Sequence, residues 1–138
     1  MIHPFLYDAG WETMNRLRNT PWIENQDVIM QWASAFSNAS VISNQITSLH
    51  RDQNSRCNWY DMLATSGNYG NCNLNLPEIR VSLKYGPGTV VGILEYALQQ
   101  EVPYFEGDRV CIAYFMRNNV YEWAGVPASE WMHTKYYK

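Results

Sequence analysis

Asn73-Leu74-Asn75-Leu76-Pro77, then Val81-Ser82-Leu83-Lys84-Tyr85-Gly86-Pro87-Gly88, then Thr89-Val90-Val91-Gly92-Ile93-Leu94 is the stretch that decides the fold. Leu74 and Leu76 alternate with asparagines, and Val81, Leu83 and Tyr85 alternate with Arg80, Ser82 and Lys84. Apolar residues at every second position mark a strand with one buried face. Gly86-Pro87-Gly88 breaks the pattern as a sharp turn. Residues 89–94 are β-branched and continuously apolar, which predicts a strand buried on both faces. A further apolar run, Asp108 to Arg117, is bounded by Gly107 and Asn118-Asn119. Short strands separated by Gly, Pro and Asn turns predict an antiparallel sandwich or jelly roll. In such a fold, residues from distant strands can meet between two sheets.

Working outward, the N-terminal part has a different period. Val28, Ile29, Trp32, Ala33 and Phe36 recur at three- and four-residue spacing and predict a helix from Glu24 to Phe36, with Asn25 as its N-cap. An earlier helix is expected around Trp11 to Leu17, and a strand from Ala39 to Ile46. The expected organisation is one domain over 1–138: helical support in 1–38, a jelly-roll core in 39–120 and a C-terminal tail in 121–138. The fold class is mainly β with N-terminal helices.

Composition narrows the function classes. A chain of 138 residues with 46% hydrophobic residues can build one core. Its net charge of −3 argues against strong non-specific binding to nucleic acid. Arg51, Arg56, Arg80 and Lys84 remain able to touch phosphates, and some of the six Trp and ten Tyr could stack on bases. Cys57, Cys72 and Cys111 lack metal-site spacing and leave an odd thiol, so reduced cysteines in an intracellular compartment are expected. No signal-peptide pattern or membrane-length apolar run is present.

His50-Arg51-Asp52 follows the predicted strand directly. Residues two apart on an extended segment point to one side, so an imidazole and a carboxylate can share a metal ion. They are two-thirds of the 2-His-1-carboxylate facial triad of non-haem Fe(II) oxygenases. Alone, His-x-Asp is more often a surface turn pair. Arg109, alone, reads as a solvated residue at a strand start, and Arg117 as a strand cap. His3 and His133 lie near the ends of the chain and match no ligand position.

The downstream order changes that weighting. His50-Arg51-Asp52, Gly67-Asn68-Tyr69, Leu76-Pro77-Glu78, Pro87-Gly88-Thr89-Val90-Val91, and Gly107-Asp108-Arg109 through Tyr114-Phe115-Met116-Arg117 together resemble the TET/JBP family. These are Fe(II)- and 2-oxoglutarate-dependent dioxygenases that oxidise base methyl groups in nucleic acids. The likeness is greatest to the family's fungal branch and covers roughly residues 40 to 120. It implies a double-stranded β-helix with the helices supporting the sheet.

The resemblance also implies roles. His50 and Asp52 match the first two iron ligands, and Arg109 matches the arginine that pairs with the distal carboxylate of 2-oxoglutarate, with Arg117 as a second candidate. The family's distal histidine is replaced here by Gln100, within Leu98-Gln99-Gln100-Glu101-Val102. A carboxamide is a weaker Fe(II) ligand than imidazole. Glu101 is a carboxylate next door, but strand alternation turns it to the opposite face. Three readings therefore stand: an oxygenase hydroxylating a base methyl group, 5-methylcytosine above all; a pseudoenzyme kept for binding nucleic acid or protein; and an oxygenase acting on a protein or small molecule. DNA is the partner implied by the first, with a nuclear location. About forty residues precede the His-x-Asp strand, fewer than in domains that resemble this one, so a protein partner or second copy is also expected.

Overall fold

In a computed structural model, residues 3–133 and 135 are described. The chain packs as two compact units: Met1–Asn38 with Met116–Lys138, and Ala39–Phe115.

The first unit is helical. Helix α1 spans Pro4–Arg18, longer than the expected Trp11–Leu17. Pro4 opens it, and the His3 ring accepts from the Leu6 N–H at 3.2 Å. A ring nitrogen thus satisfies one of the free donors of the first turn. Leu6, Gly10, Thr13, Met14 and Leu17 are its buried face. Helix α2 is only Gln26–Gln31, against the expected Glu24–Phe36. Trp32 turns extended, its indole N–H donates to the Phe36 carbonyl at 2.7 Å, and Ser34 Oγ accepts from the Phe36 N–H. These local bonds replace the helical ladder that the apolar spacing predicts. Asn25 does sit at the N-cap, but in a left-handed conformation with no side-chain cap bond. Helix α3, Asn118–Ala124, straddles the expected boundary between the core (39–120) and the tail (121–138); its last carbonyl and that of Gly125 both accept from the Arg16 guanidinium at 2.9 Å.

The second unit is a jelly roll. Its strands are β1 (Asn38–Ser43), β2 (Thr47–His50), β3 (Asp61–Gly70), β4 (Asn73–Leu76), β5 (Val81–Lys84), β6 (Val90–Ile93), β7 (Gln100–Val102) and β8 (Glu106–Phe115). They form two four-stranded sheets, ordered β1-β8-β3-β6 and β2-β7-β4-β5. The neighbours β1·β8, β2·β7, β3·β6 and β4·β5 are those of one long hairpin, tip at β4–β5, rolled into two layers. Leu63, Leu74, Leu76, Tyr85, Ile93, Val102 and Cys111 fill the space between.

Two strand expectations need correction. Residues 89–94 do not run buried on both faces: β6 is an edge strand, Val90 is 60% exposed, and only Val91 and Ile93 turn inward. In β5, Val81 and Leu83 are more than a third exposed and only the following Tyr85 is fully enclosed. Both strands lie at sheet edges, where part of the apolar surface stays in water. The alternation in β4 holds, with Leu74 and Leu76 buried.

Two features of the ladders prepare the site. Gly67 faces Arg109 in the β3–β8 register at φ +127°, and a Cβ there would meet the Asp108 carbonyl at 2.1 Å. Only glycine lets the two strands close at that point. On β2, Thr47 pairs with Val102 and His50 with Gln100, so Ser48 and Leu49 together face the single residue Glu101. The extra residue is a bulge, and it turns Thr47 and His50 to the same side of the sheet.

Candidate metal centre

Between the sheets of the second unit lies a cavity of about 90 Å³. His50, Glu95, Gln100 and Arg109 line it together with Tyr85 and Cys111. Three of the residues singled out in the sequence, His50, Gln100 and Arg109, therefore meet at one place. His50 and Gln100 do so as direct cross-strand partners.

Each is held differently. His50 is exposed, and its Nδ1 lies 2.9 Å from the Ser48 carbonyl. A carbonyl only accepts, so Nδ1 carries the proton and Nε2 is the atom left to coordinate. Asp52 lies just beyond the strand; its N–H donates to the Glu95 carbonyl at 3.1 Å and its Oδ1 accepts from the Asn54 N–H at 2.8 Å. Gln100 is 4% exposed, and its Nε2 donates to Glu95 Oε1 at 2.6 Å. Its Oε1 is buried with no hydrogen-bond partner among the described residues. Glu101 also borders the cavity, against the expectation from strand alternation, but its carboxylate accepts from Asn75 Nδ2 at 2.9 Å.

Arg109 is 2% exposed, and its guanidinium lies 5.1 Å from the Tyr85 ring centre and 5.7 Å from that of Phe105. No carboxylate of the described residues pairs with it, and its Nε has no acceptor. Burying a guanidinium without a counter-ion costs several kcal/mol, only part of which two aromatic faces return. The cavity is thus built for an anion, and a carboxylate of a small dicarboxylic acid fits that need. Arg117 is not among the residues that line this cavity. It lies past the end of β8 as the N-cap of α3, where its N–H donates to Ser37 Oγ.

The structure adds residues that no motif marked. Asp61 opens β3 opposite Ile93, and Glu95 follows two positions after Ile93 in the next turn. Asp52, Asp61 and Glu95 each offer a carboxylate oxygen within 4.8 Å of the other two, and could hold a metal ion. Burial pushes the Glu95 carboxyl above its ordinary range and the Asp52 charge adds to this, while the Gln100 amide, His50 and a bond to Asp61 hold it down in part. The only sequence signal for either residue was an acid directly flanking an apolar strand.

Glu78 was legible within Leu76-Pro77-Glu78, but its task was not. It follows Pro77 in a 3-10 turn; one oxygen takes the Arg51 guanidinium and the other accepts from the Gln99 N–H at 2.7 Å. A single carboxylate thus ties together the residue between His50 and Asp52 and the residue before Gln100. Glu78→Ala should release both segments and weaken divalent-metal affinity about 10-fold, the usual scale for losing an outer support of a metal site. Titration with Co(II) would measure it; unchanged affinity would reduce Glu78 to a surface ion pair.

A model for a family described as the oxygenase domain of the 2OGFeDO superfamily matches residues 1–118 of the chain. No curated protein matches it.

Proposed function

The chain belongs to the TET/JBP family of 2-oxoglutarate- and Fe(II)-dependent oxygenase domains, and from that premise we propose that it oxidises a methyl group on a base in DNA, 5-methylcytosine before others. The observation that carries the reading is Arg109: a buried cation with no carboxylate partner among the described residues, in the same cavity as His50 and Gln100.

Membership of the superfamily implies Fe(II) and 2-oxoglutarate; the carboxylates of Asp52, Asp61 and Glu95 could hold a metal ion, and buried Arg109 suits the acid. His50 through Nε2 and Asp52 through a carboxylate oxygen would hold the metal, and Arg109 would take the far carboxylate of the 2-oxo acid. When bound, the iron and 2-oxoglutarate would activate dioxygen, one oxygen atom entering the methyl C–H bond as C–OH and the other entering succinate as 2-oxoglutarate loses carbon dioxide. The chain's own contribution is placement. The β2 bulge aims His50 inward, Glu78 fixes the flanking segments, and Leu63, Leu74 and Val102 keep the cavity wall apolar. In duplex DNA the base must leave the stack to be reached. A net charge of −3 offers little general attraction to phosphate, so binding by this chain alone should be weak and only slightly salt-dependent. Among the described residues no helix is long and apolar enough to cross a membrane.

A second reading is favoured by Gln100, which stands opposite His50 with its amide nitrogen already committed to Glu95. Here the domain binds 2-oxoglutarate without turning it over. One assay separates the two. Succinate formed from 2-oxoglutarate with Fe(II) and ascorbate, rising when a 5-methylcytosine oligonucleotide is added, supports the oxygenase. Retained 2-oxoglutarate binding with no succinate supports the pseudoenzyme.

A further inference from the structure

We propose that Glu95 is the third protein ligand of the metal, taking with His50 and Asp52 the corner that a histidine would otherwise fill. The inference rests on reading the cavity as an iron centre, and it concerns which side chain closes that centre.

Four observations converge on Glu95. It lines the same cavity as His50 and Gln100. Its carboxylate lies within 4.8 Å of an Asp52 oxygen, and its backbone carbonyl binds the Asp52 N–H at 3.1 Å, so the two segments are already joined. Oxygens sharing one metal at about 2.1 Å sit roughly 3 Å apart in neighbouring positions. Small side-chain rotations close that gap. The Gln100 amide donates to Glu95 Oε1 at 2.6 Å, which fixes the carboxylate's orientation.

The remaining atom of Gln100 points to the ligand. Its Oε1 belongs to a residue 4% exposed, has no hydrogen-bond partner among the described residues, and lies at the cavity. A buried carbonyl left without a donor is destabilising. A water bound to the metal would supply the missing donor. Gln100 then orients Glu95 and receives a coordinated water, while Glu95 coordinates. Between the two, an anionic carboxylate binds a divalent first-row cation better than a neutral amide oxygen does. Asp61, wholly enclosed at the start of β3, hydrogen-bonds Glu95 and has a carboxylate oxygen within the same 4.8 Å group.

The test uses Co(II) as the probe on the full chain, read by its d–d absorption and by titration. Glu95→Gln keeps the shape and removes the charge; its Co(II) affinity should fall more than about 100-fold, beyond the range for losing an outer support, and the absorption bands should shift. Adding Gln100→His in the Glu95→Gln chain should restore binding, because imidazole then fills the empty corner; this also shows that the parent variant was folded. Should Glu95→Gln fail to fold, Glu95→Asp withdraws the carboxylate by one methylene and should weaken binding about 10-fold. Glu95→Gln, or Glu95→Asp in its place, binding Co(II) like the parent with unchanged bands overturns the role of Glu95 and leaves the iron-centre reading standing. A parent chain that binds no Co(II), with or without 2-oxoglutarate, overturns both.

Discussion

Arg109→Ala should raise the Kd for 2-oxoglutarate by roughly 30- to 150-fold, the equivalent of about 2–3 kcal/mol for a charge-assisted bidentate pair. The reason is that no carboxylate among the described residues pairs with this guanidinium. It is 2% exposed, its Nε has no acceptor among those residues, and its neighbours are the Tyr85 side chain, to which it hydrogen-bonds, and the face of Phe105. Asn44 anchors only its backbone, accepting from the Arg109 N–H at 2.7 Å. A companion variant separates binding from folding. Arg109→Met keeps the volume and removes an uncompensated buried charge, so the ligand-free protein should melt at the same or a higher temperature. It should also lose the upward shift in Tm that 2-oxoglutarate gives the parent. Calorimetric titration and thermal melts with and without 2-oxoglutarate check both statements. Unchanged 2-oxoglutarate affinity in Arg109→Ala would remove the anion site from the cavity.

Gln100→His should raise metal affinity at least about 10-fold and increase succinate formation. Position 100 is the direct cross-strand partner of His50, and its side chain is already turned inward beside Glu95. An imidazole there brings a second nitrogen to the site, and nitrogen ligands suit Fe(II) better than an amide oxygen. The imidazole would take over the corner assigned above to Glu95, whose carboxylate, released from the metal, can accept the ring's other N–H in the carboxylate–histidine pairing common at metal sites. Val102 on the same strand is 4% exposed and keeps the wall in place. A variant that folds normally yet binds metal no better than the parent would show that the weakness of the site lies away from position 100.

Strand character was readable from period-2 alternation, and β4 and β8 stand close to where the apolar pattern puts them. Edge positions were not readable. A continuous apolar run looks the same in a central strand and in β6, because exposure depends on which neighbour the strand finds, not on its own residues. Helix α2 stops early for a related reason: Trp32 and Ser34 find local backbone partners that spacing alone does not encode.

His50 and Asp52 could be picked out because a two-residue spacing is itself a geometric statement, and Arg109 and Gln100 because they hold fixed places in an ordered set of motifs. What the amino-acid sequence determined by itself was therefore the β class, the family and the residue types of a metal and carboxylate site. The gathering of that site was decided only by tertiary structure. Asp61 and Glu95 stand thirty-four positions apart and Glu78 joins Arg51 to Gln99, because β6, β7 and the turns beside them return the chain to the same place. Those contacts are long-range pairings fixed by sheet order and by one bulged register. No local stretch carries that information, so acids such as Glu95 look like ordinary turn residues until the sheets close around them.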